Sequence, residues 1–583
     1  MTPQRAVPET RSSPFPRLLD RYFFLIAGLL LAIMAGAQIG SAVQESPTND
    51  EPVHLTAGYV YLTTGEYSMD LSHPPLGRML AALPLLALPL KHIPAEKAWP
   101  EFKTLVWGNQ IPADTILLRA RLVIIALTFL FGAWLGWWTR RHFGWPVALL
   151  ALAFFAFDPT LIAHGHYVTT DLIASLGIFL TCTLWADFLL KPGWKSLAAA
   201  ALGLGFALAS KYSALFLLLV LPLLYGAVWW RNRGRPFFTW CGAIATFVVM
   251  SAGASLLVVL SYAPEVSTLI LSPRSGKVRK PLPTPPAAPE TASDEIPAAV
   301  GPDTGLLSFG YFRGLRELLQ LDSEGYPSYL LGHFRRQGWW EYFPIAFLVK
   351  TPTGVLVACV IAVLSLWHGR RHPPPVLLSL CLALPPMVYF ALAMRSSINI
   401  GVRHILPIYP FLYVLLAFVL IDYGPFLLRG AWRWTIVVLI VLISAESLSV
   451  YPHYLAFFNW TSGGPVNGSR YLLDSNIDWG QDLKNLAIFV EDHHMTPLCT
   501  ALFGAAPASY YGIIARDLNQ TGMPEGVENL PCVVAVSVNV LRGLYNAPTK
   551  FAPLPQRRPV ARVGYSVYIY DLRHGLSRNP SPE

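Results

Sequence analysis

The sequence predicts a mainly α-helical polytopic membrane protein with about eleven transmembrane helices and a small C-terminal α/β domain. Three observations carry that expectation. The 583 residues are 54% hydrophobic and only 13% charged, against about 25% charged in a soluble protein. Several apolar runs are long enough to cross a bilayer, which takes roughly 20 helical residues. Arg and Lys gather in short loops between those runs, as they do in cytoplasmic loops. The net charge of +9 is therefore read as topology, not as a nucleic-acid surface.

Arg17 and Arg21 precede the first run, Tyr22–Val43, and place the N-terminus in the cytoplasm. That run exceeds the roughly 7–15 apolar residues of a cleavable signal. Residues 45–114 then form an outer loop, with helices expected at Pro52–Thr64 and Pro75–Leu90 on or dipping into the membrane surface. Ile116–Trp138 returns to Arg140 and Arg141 inside. Trp145–Phe157, Asp171–Leu190, Leu197–Ser210, Ser213–Trp230 and Phe237–Tyr262 alternate from there, the inward passes ending near Lys191 and Lys195 or Arg231, Arg233 and Arg235. The outer segment 264–341 contains a Pro-, Ala- and acid-rich stretch, Pro281–Pro302, expected to be flexible or extended. Tyr342–Trp367 returns to Arg370 and Arg371, Val376–Met394 goes out, Ile405–Ile421 returns to Arg429 and Arg433, and Ile436–Val450 exits.

Residues 1–450 are thus the expected membrane domain and residues 451–583 an extracytoplasmic domain. The latter shows β-like runs at Leu498–Phe503, Val533–Val538 and Val563–Tyr570, and a helix over Trp479–Asp492 with Asp478 as N-cap. Cys182, Cys241, Cys359 and Cys381 lie in apolar runs and read as small packing residues. Cys499 and Cys532 can pair if their domain faces an oxidising compartment.

The stretch Asn49–Arg78 is the most informative, because it places Asp50 and Glu51 where the first run leaves the bilayer. A carboxylate at mid-bilayer costs roughly 3 kcal/mol, so the pair belongs at an interface or a wet cavity. Ahead of Pro52 it suits a helix N-terminus; it equally suits a general base that deprotonates a hydroxyl. Asp158 and Asp171 bracket a second outer loop that holds His164 and His166. Capping explains both aspartates, and two histidines two apart diverge on a helix, so no metal site is assigned. Lys211, Arg395, Arg403 and His404 fall on the outer side, against the positive-inside trend. Cations there call for an anionic partner, with Arg matching phosphate through its planar fork and Lys as a point charge. The aromatics of Tyr326–Pro352 read as an interfacial belt and also suit sugar or prenyl contacts.

Asn49-Asp50-Glu51, HPPLGR at residues 73–78, Thr169-Thr170-Asp171, GLGFALASKYSALF around Lys211 and Arg403-His404-Ile405-Leu406-Pro407 occur in this order. In them the chain resembles the protein O-mannosyltransferases and lipid A aminoarabinose transferases, membrane glycosyltransferases of the GT-C type. GWWEYFPIAFLVKTP and DSNIDWGQDLKNL (Asp474–Leu486) are similar to a bacterial branch of phospholipid-carrier-dependent glycosyltransferases. The resemblance implies an inverting transferase in a bacterial inner membrane, its C-terminal domain periplasmic or extracellular. Its donor is a polyprenyl-phosphate-linked sugar, and its acceptor a hydroxyl on a lipid, glycan or protein. It implies catalysis by Asp50 with Glu51 beside it, and donor phosphate binding by Lys211, Arg403 and His404. The substrate pocket is expected to hold His73, Arg78, Asp158, His166 and Asp171, with no organic cofactor and a divalent cation left open. The alternative from the same residues is a transporter or flippase of a lipid-linked or anionic solute.

Overall fold

The computed structural model describes residues 20–573 apart from residue 68 and residues 99–100, 264, 266–308, 369–375, 524–525 and 547–548. Pro281–Pro302 and the Arg370-Arg371 pair lie outside the described residues. All eleven apolar runs form helix. The first half of the bundle comprises α1 (Phe23–Gln44), α2 (Glu51–Thr64), α3 (Leu76–Ala82), α4 (Ala113–Phe143), α5 (Trp145–Ala156), α6 (Pro159–His164), α7 (Asp171–Leu190), α8 (Trp194–Ser210), α9 (Leu217–Trp229) and α10 (Trp240–Ser261). The second half adds α11 (Gly310–Glu324), α12 (Tyr342–Lys350), α13 (Thr353–His368), α14 (Val376–Ala393), α15 (Ile408–Asp422) and α16 (Trp432–Ser449).

Among the described residues seven helices are long and apolar enough to cross a membrane, or eight if α12 and α13 count as one bent span. The short runs α5, α8 and α15 have 12, 17 and 15 residues. They sit among other helices, with Leu152, Phe154, Ala200 and Phe411 all at 0% exposure, and need not match the lipid thickness by themselves. The rim is apolar and open: Phe24, Leu25, Trp240, Ile244 and Val363 are each 65–74% exposed. Such a surface on an otherwise well-packed chain is a lipid-facing one. The protein is an integral membrane protein.

Tyr342–Trp367 is not the straight span that its hydropathy predicts. α12 and α13 meet at 108°, because Pro352 lacks an N–H and disfavours helix at Thr351. The carbonyls released at the bend are taken by Asn459, whose Nδ2 donates to Leu348 O at 2.6 Å and Thr351 O at 2.7 Å. Glu446 accepts from Thr353 N at 2.6 Å and so caps the far side of the break.

Residues 451–482 pack as part of the bundle rather than as part of a separate domain: Tyr454, Phe457, Phe458, Leu472 and Trp479 are buried in the main core. The α/β unit proper follows. Its sheet contains β3 (Leu498–Ala501), β4 (Arg516–Asp517), β5 (Val533–Ser537), β6 (Ala561–Val563) and β7 (Val567–Asp571) in the order β4-β3-β5-β7-β6; β1 (Ser328–Leu330) and β2 (His333–Arg335) form a separate hairpin in the preceding loop. β3 runs parallel to β4 and β5, and β7 antiparallel to β5 and β6. Strand alternation divides the side chains between two cores. Val533, Ala535, Val567 and Ile569 meet Leu483 and Leu486 of α17 (Leu483–Asp492), while Val534, Val536, Tyr568 and Tyr570 join the main core. A disulfide links Cys499 to Cys532, and the other four cysteines are free.

Candidate functional site

Asp50 occupies the position before α2, where Pro52 sets the helical φ and has no N–H to leave unpaired. Its side chain nevertheless makes no capping hydrogen bond. It turns instead to Arg403, whose Nη1 donates to Asp50 Oδ2 at 3.0 Å. Arg403 Nη1 is also 3.7 Å from Asp171 Oδ2, and Asp171 Oδ1 is hydrogen-bonded to Lys211 Nζ. Four residues from four separated stretches thus form one ionic chain, Asp50–Arg403–Asp171–Lys211. The side chains of Asp171, Arg403 and Lys211 are 3%, 9% and 12% exposed, whereas Asp50 is 29% exposed and is the reachable carboxylate.

Glu51 faces the other way. Its oxygens receive Arg121 Nε at 2.8 Å and Nη2 at 2.6 Å, with Thr48 N at 2.8 Å and Val168 N at 3.0 Å. Burial raises this carboxyl, but Arg121 and the N–H donors outweigh it and hold the pKa below its usual value. Arg121 also donates to the carbonyls of Ala42, Glu45 and Ser46. His166 sits in the same group, its Nε2 2.9 Å from Glu45 Oε2 and its Nδ1 3.0 Å from Ile162 O. Asp158 caps α6 by accepting Leu161 N at 2.8 Å and takes the Tyr413 hydroxyl on its other oxygen; burial pushes it up to about 6. The structure therefore does not bring Glu51, Asp158 or His166 into the ionic chain.

Arg78 is likewise fully engaged. It donates to His54 Nδ1 at 2.9 Å, to Asp70 O at 2.6 Å and to Asp70 Oδ2 at 2.5 Å. His73 stacks on His54 with centroids 5.3 Å apart, and its Nδ1 is buried without a partner among the described residues. Burial, then Arg78 and Lys211, hold His73 down at about 3, so its ring is neutral. His404, grouped by the sequence with the cations, is neutral for the same reasons: burial first, then Lys211 and Arg403. Among the described residues its Nε2 is buried without a partner, as are Thr170 Oγ1 and Arg403 Nε. Buried polar atoms are nearly always satisfied, so orphans grouped around Lys211 and Arg403 mark a place built for a polar ligand.

The stretch 474–483 holds this arrangement together. The Arg403 guanidinium lies 4.2 Å over the Trp479 ring, and Asn476 Oδ1 accepts Val402 N at 2.9 Å. Trp479 O accepts Asn49 N at 2.7 Å, and Gln481 O accepts Ser46 N at 2.9 Å, which fixes the loop that carries Asp50. Gly480, at φ +86, lies against Gly504; a Cβ would come within 2.8 Å of the Gly504 Cα. The helix expected over Trp479–Asp492 consequently starts only at Leu483. Asp478 does not cap it but accepts Gly480 N at 3.2 Å and Asn539 N at 3.3 Å. Sequence reasoning missed Arg121, Glu45, Asp70 and His54. Arg121 had a readable signal, since an arginine inside an apolar run demands a buried partner. Among the described residues no group of three or more His, Cys, Asp or Glu side chains is arranged to hold a metal ion.

These features define an integral membrane protein of the GT-C fold. The S. cerevisiae protein O-mannosyltransferase Pmt1-Pmt2 complex bound to the sugar donor is similar at a TM-score of 0.50 and 12% identity, over 85% of this chain and 94% of that one. ArnT from Cupriavidus metallidurans bound to undecaprenyl phosphate aligns over 95% of this chain and 99% of that chain, at 12% identity and a TM-score of 0.45. No curated protein matches the chain by sequence. Residues 47–268 match the family model of dolichyl-phosphate-mannose-protein mannosyltransferase. The matched region contains Asp50, His73, Arg78, Asp171 and Lys211, while Arg403, His404 and Trp479 come from beyond it.

Proposed function

We propose that the protein is an inverting glycosyltransferase that moves a sugar from a polyprenyl-phosphate carrier to a hydroxyl acceptor on the extracytoplasmic side of the membrane. The observation that carries this reading is the ionic chain Asp50–Arg403–Asp171–Lys211 with its fringe of unpartnered polar atoms. The acceptor O–H is held by Asp50 and attacks C1 of the sugar; the proton passes to Asp50 as the C1–O bond to the carrier phosphate breaks. Lys211 and Arg403 stabilise the charge growing on that phosphate, the kind of preorganised electrostatics that supplies the largest catalytic contribution in many enzymes. Asp171 positions both cations. His73 and His404, kept neutral, each offer one N–H to phosphate or sugar oxygens. Glu51 acts through Arg121 as a positioning residue for the Asp50 loop.

Sidedness follows from charge. Arg140, Arg141, Lys191, Lys195, Arg233 and Arg235 lie at the end of the bundle opposite to the ionic chain, and that end is assigned to the cytoplasm. The test uses purified protein and a radiolabelled polyprenyl-phosphate sugar. Release of free polyprenyl phosphate with transfer of label supports the reading. Vesicle uptake without chemistry contradicts it.

A further inference from the structure

We infer that Asp474, Tyr545, Tyr326 and Asn546 form the acceptor subsite, built to hold the ring hydroxyls of a carbohydrate acceptor beside Asp50. This rests on the transferase reading above and names the acceptor class. Arg403 pairs with Asp50 and Asp171, and the segment of Asp474 is tied to the turn that carries Arg403: Ser475 Oγ donates to Ile400 O at 2.7 Å and Asn476 Oδ1 accepts Val402 N at 2.9 Å. The mechanism gives Asp474 no task.

Asp474 is held with unusual care for a residue of no function. It is buried, and its backbone lies at φ +59, a left-handed conformation that few residues other than glycine adopt. Its N–H donates to Asn539 Oδ1 at 2.8 Å, Ser475 N donates to its Oδ1 at 2.5 Å, and the Tyr545 hydroxyl donates to its Oδ2. Backbone strain of this type clusters at functional sites. Tyr545 is itself fixed, stacked on Phe503 at 5.0 Å with the rings 9° from parallel. Tyr326, from the loop before β1, is the phenol next to Tyr545, and its backbone is fixed by Tyr326 N on Arg336 O at 2.8 Å and by Ser328 Oγ on its carbonyl at 2.8 Å. Asn546, the next residue along from Tyr545, has its Nδ2 and Oδ1 buried with no partner among the described residues.

The Asp474 carboxylate is taken by Ser475 N and the Tyr545 hydroxyl and so serves to orient the phenol; what the group leaves to a ligand is the planar Asn546 amide, its donor and acceptor unpartnered among the described residues, and the acceptor lone pairs of the phenol oxygens. Neighbouring sugar hydroxyls each donate and accept, so a rigid set of planar acceptors and donors matches them. Aromatic faces cover the C–H surface of a sugar ring. Arg403 joins this subsite to the phosphate side, so acceptor and donor meet across one guanidinium.

The experiment adds full-length protein and the radiolabelled polyprenyl-phosphate sugar to native membranes depleted of this protein, and measures saturation separately for membranes and for donor. Among the described residues Asn546→Ala removes no hydrogen bond, and Tyr545→Phe keeps the stack on Phe503, so both variants should fold. Each is expected to raise the half-saturating amount of membranes about tenfold, to leave donor half-saturation within about twofold, and to leave label in a product that periodate cleaves and protease does not. Unchanged membrane saturation, an equal shift in donor saturation, or label that protease removes would overturn the subsite. Failure of the wild-type protein to consume donor would instead sink the transferase reading, and the subsite with it.

Discussion

Two clusters of buried charge lie next to each other in the first loop, and neighbouring residues of the chain belong to different ones. Glu51, Arg121, Glu45 and His166 make a closed cluster, all at 0% side-chain exposure. Asp50, Arg403, Asp171 and Lys211 make an open one, with Asp50 partly exposed and unpartnered polar atoms at its edge. Both contain carboxylates and cations at membrane level, so charge alone does not tell a ligand site from a structural one. Exposure and pairing of the charged groups do. Thr48 Oγ1 at the closed cluster is unpartnered among the described residues too, but the charged groups there are buried and bonded to one another and to backbone, whereas the open cluster presents a reachable carboxylate beside Arg403.

The sharpest way to break this contrast is to neutralise each carboxylate of the pair. Asp50→Asn is expected to lower transfer by roughly a hundredfold to ten-thousandfold, the usual range for a general base, with an unchanged melting temperature. Near wild-type turnover would remove Asp50 from the mechanism. Arg121→Met is expected to fail differently: it strands Glu51 in the core, a loss of roughly 3–5 kcal/mol, seen as poor yield or a lowered melting temperature of the purified protein. A stable, well-folded Arg121→Met protein would show that the closed cluster is not structural. Lys211→Ala should weaken donor binding about tenfold to a hundredfold, corresponding to a charge-assisted hydrogen bond of roughly 1.5–3 kcal/mol, read by titration of the labelled donor.

A subtler effect concerns the segment that joins the two clusters. Burial, opposed by the N–H groups of Asn539 and Gly480 and the Ser537 hydroxyl, pushes Asp478 up to about 7. An aspartate in the unfolded chain titrates near roughly 4, so between about pH 4 and 7 the folded protein keeps a proton that the unfolded chain has lost. Its stabilising contribution is complete below that window and is lost as pH rises through it. The melting temperature should fall over that range, and Asp478→Asn should flatten the profile. Smallest of all, Trp479→Phe keeps an aromatic face under Arg403 and should change transfer by only a few-fold, since exchange of one cation–π partner is worth less than the ~0.5–2 kcal/mol of the whole contact.

Much of the fold was legible because hydropathy and loop charge are local properties: the eleven helical runs and the β-like stretches of the C-terminal unit needed only windows of residues. The bend at Thr351-Pro352 was signalled by its proline, yet the long apolar run masked it. Asp50, Asp171, Lys211 and Arg403 stood out as charges at run ends, and the structure brings them together. Glu51, Asp158 and His166 looked equivalent to them because residue type and loop position cannot reveal how many hydrogen bonds a group has already made. Asp478 looked like an N-cap because Asp before an amphipathic run usually is one. What overrode the local signal was tertiary: Gly480 against Gly504, and the strap from Trp479 to Asn49. Asn546 carried no signal, and Asp474 only its place at the start of the DSNIDWGQDLKNL stretch, since their environment comes from segments far apart in the chain.

The most direct test is a structure of the full-length protein with polyprenyl phosphate bound. The account predicts phosphate density within hydrogen-bond distance of Lys211 Nζ and an Arg403 nitrogen, on the same side as Asp50 and away from Arg121. Phosphate bound elsewhere in the bundle, with Asp50–Arg403–Asp171–Lys211 undisturbed and closed to it, would contradict the account.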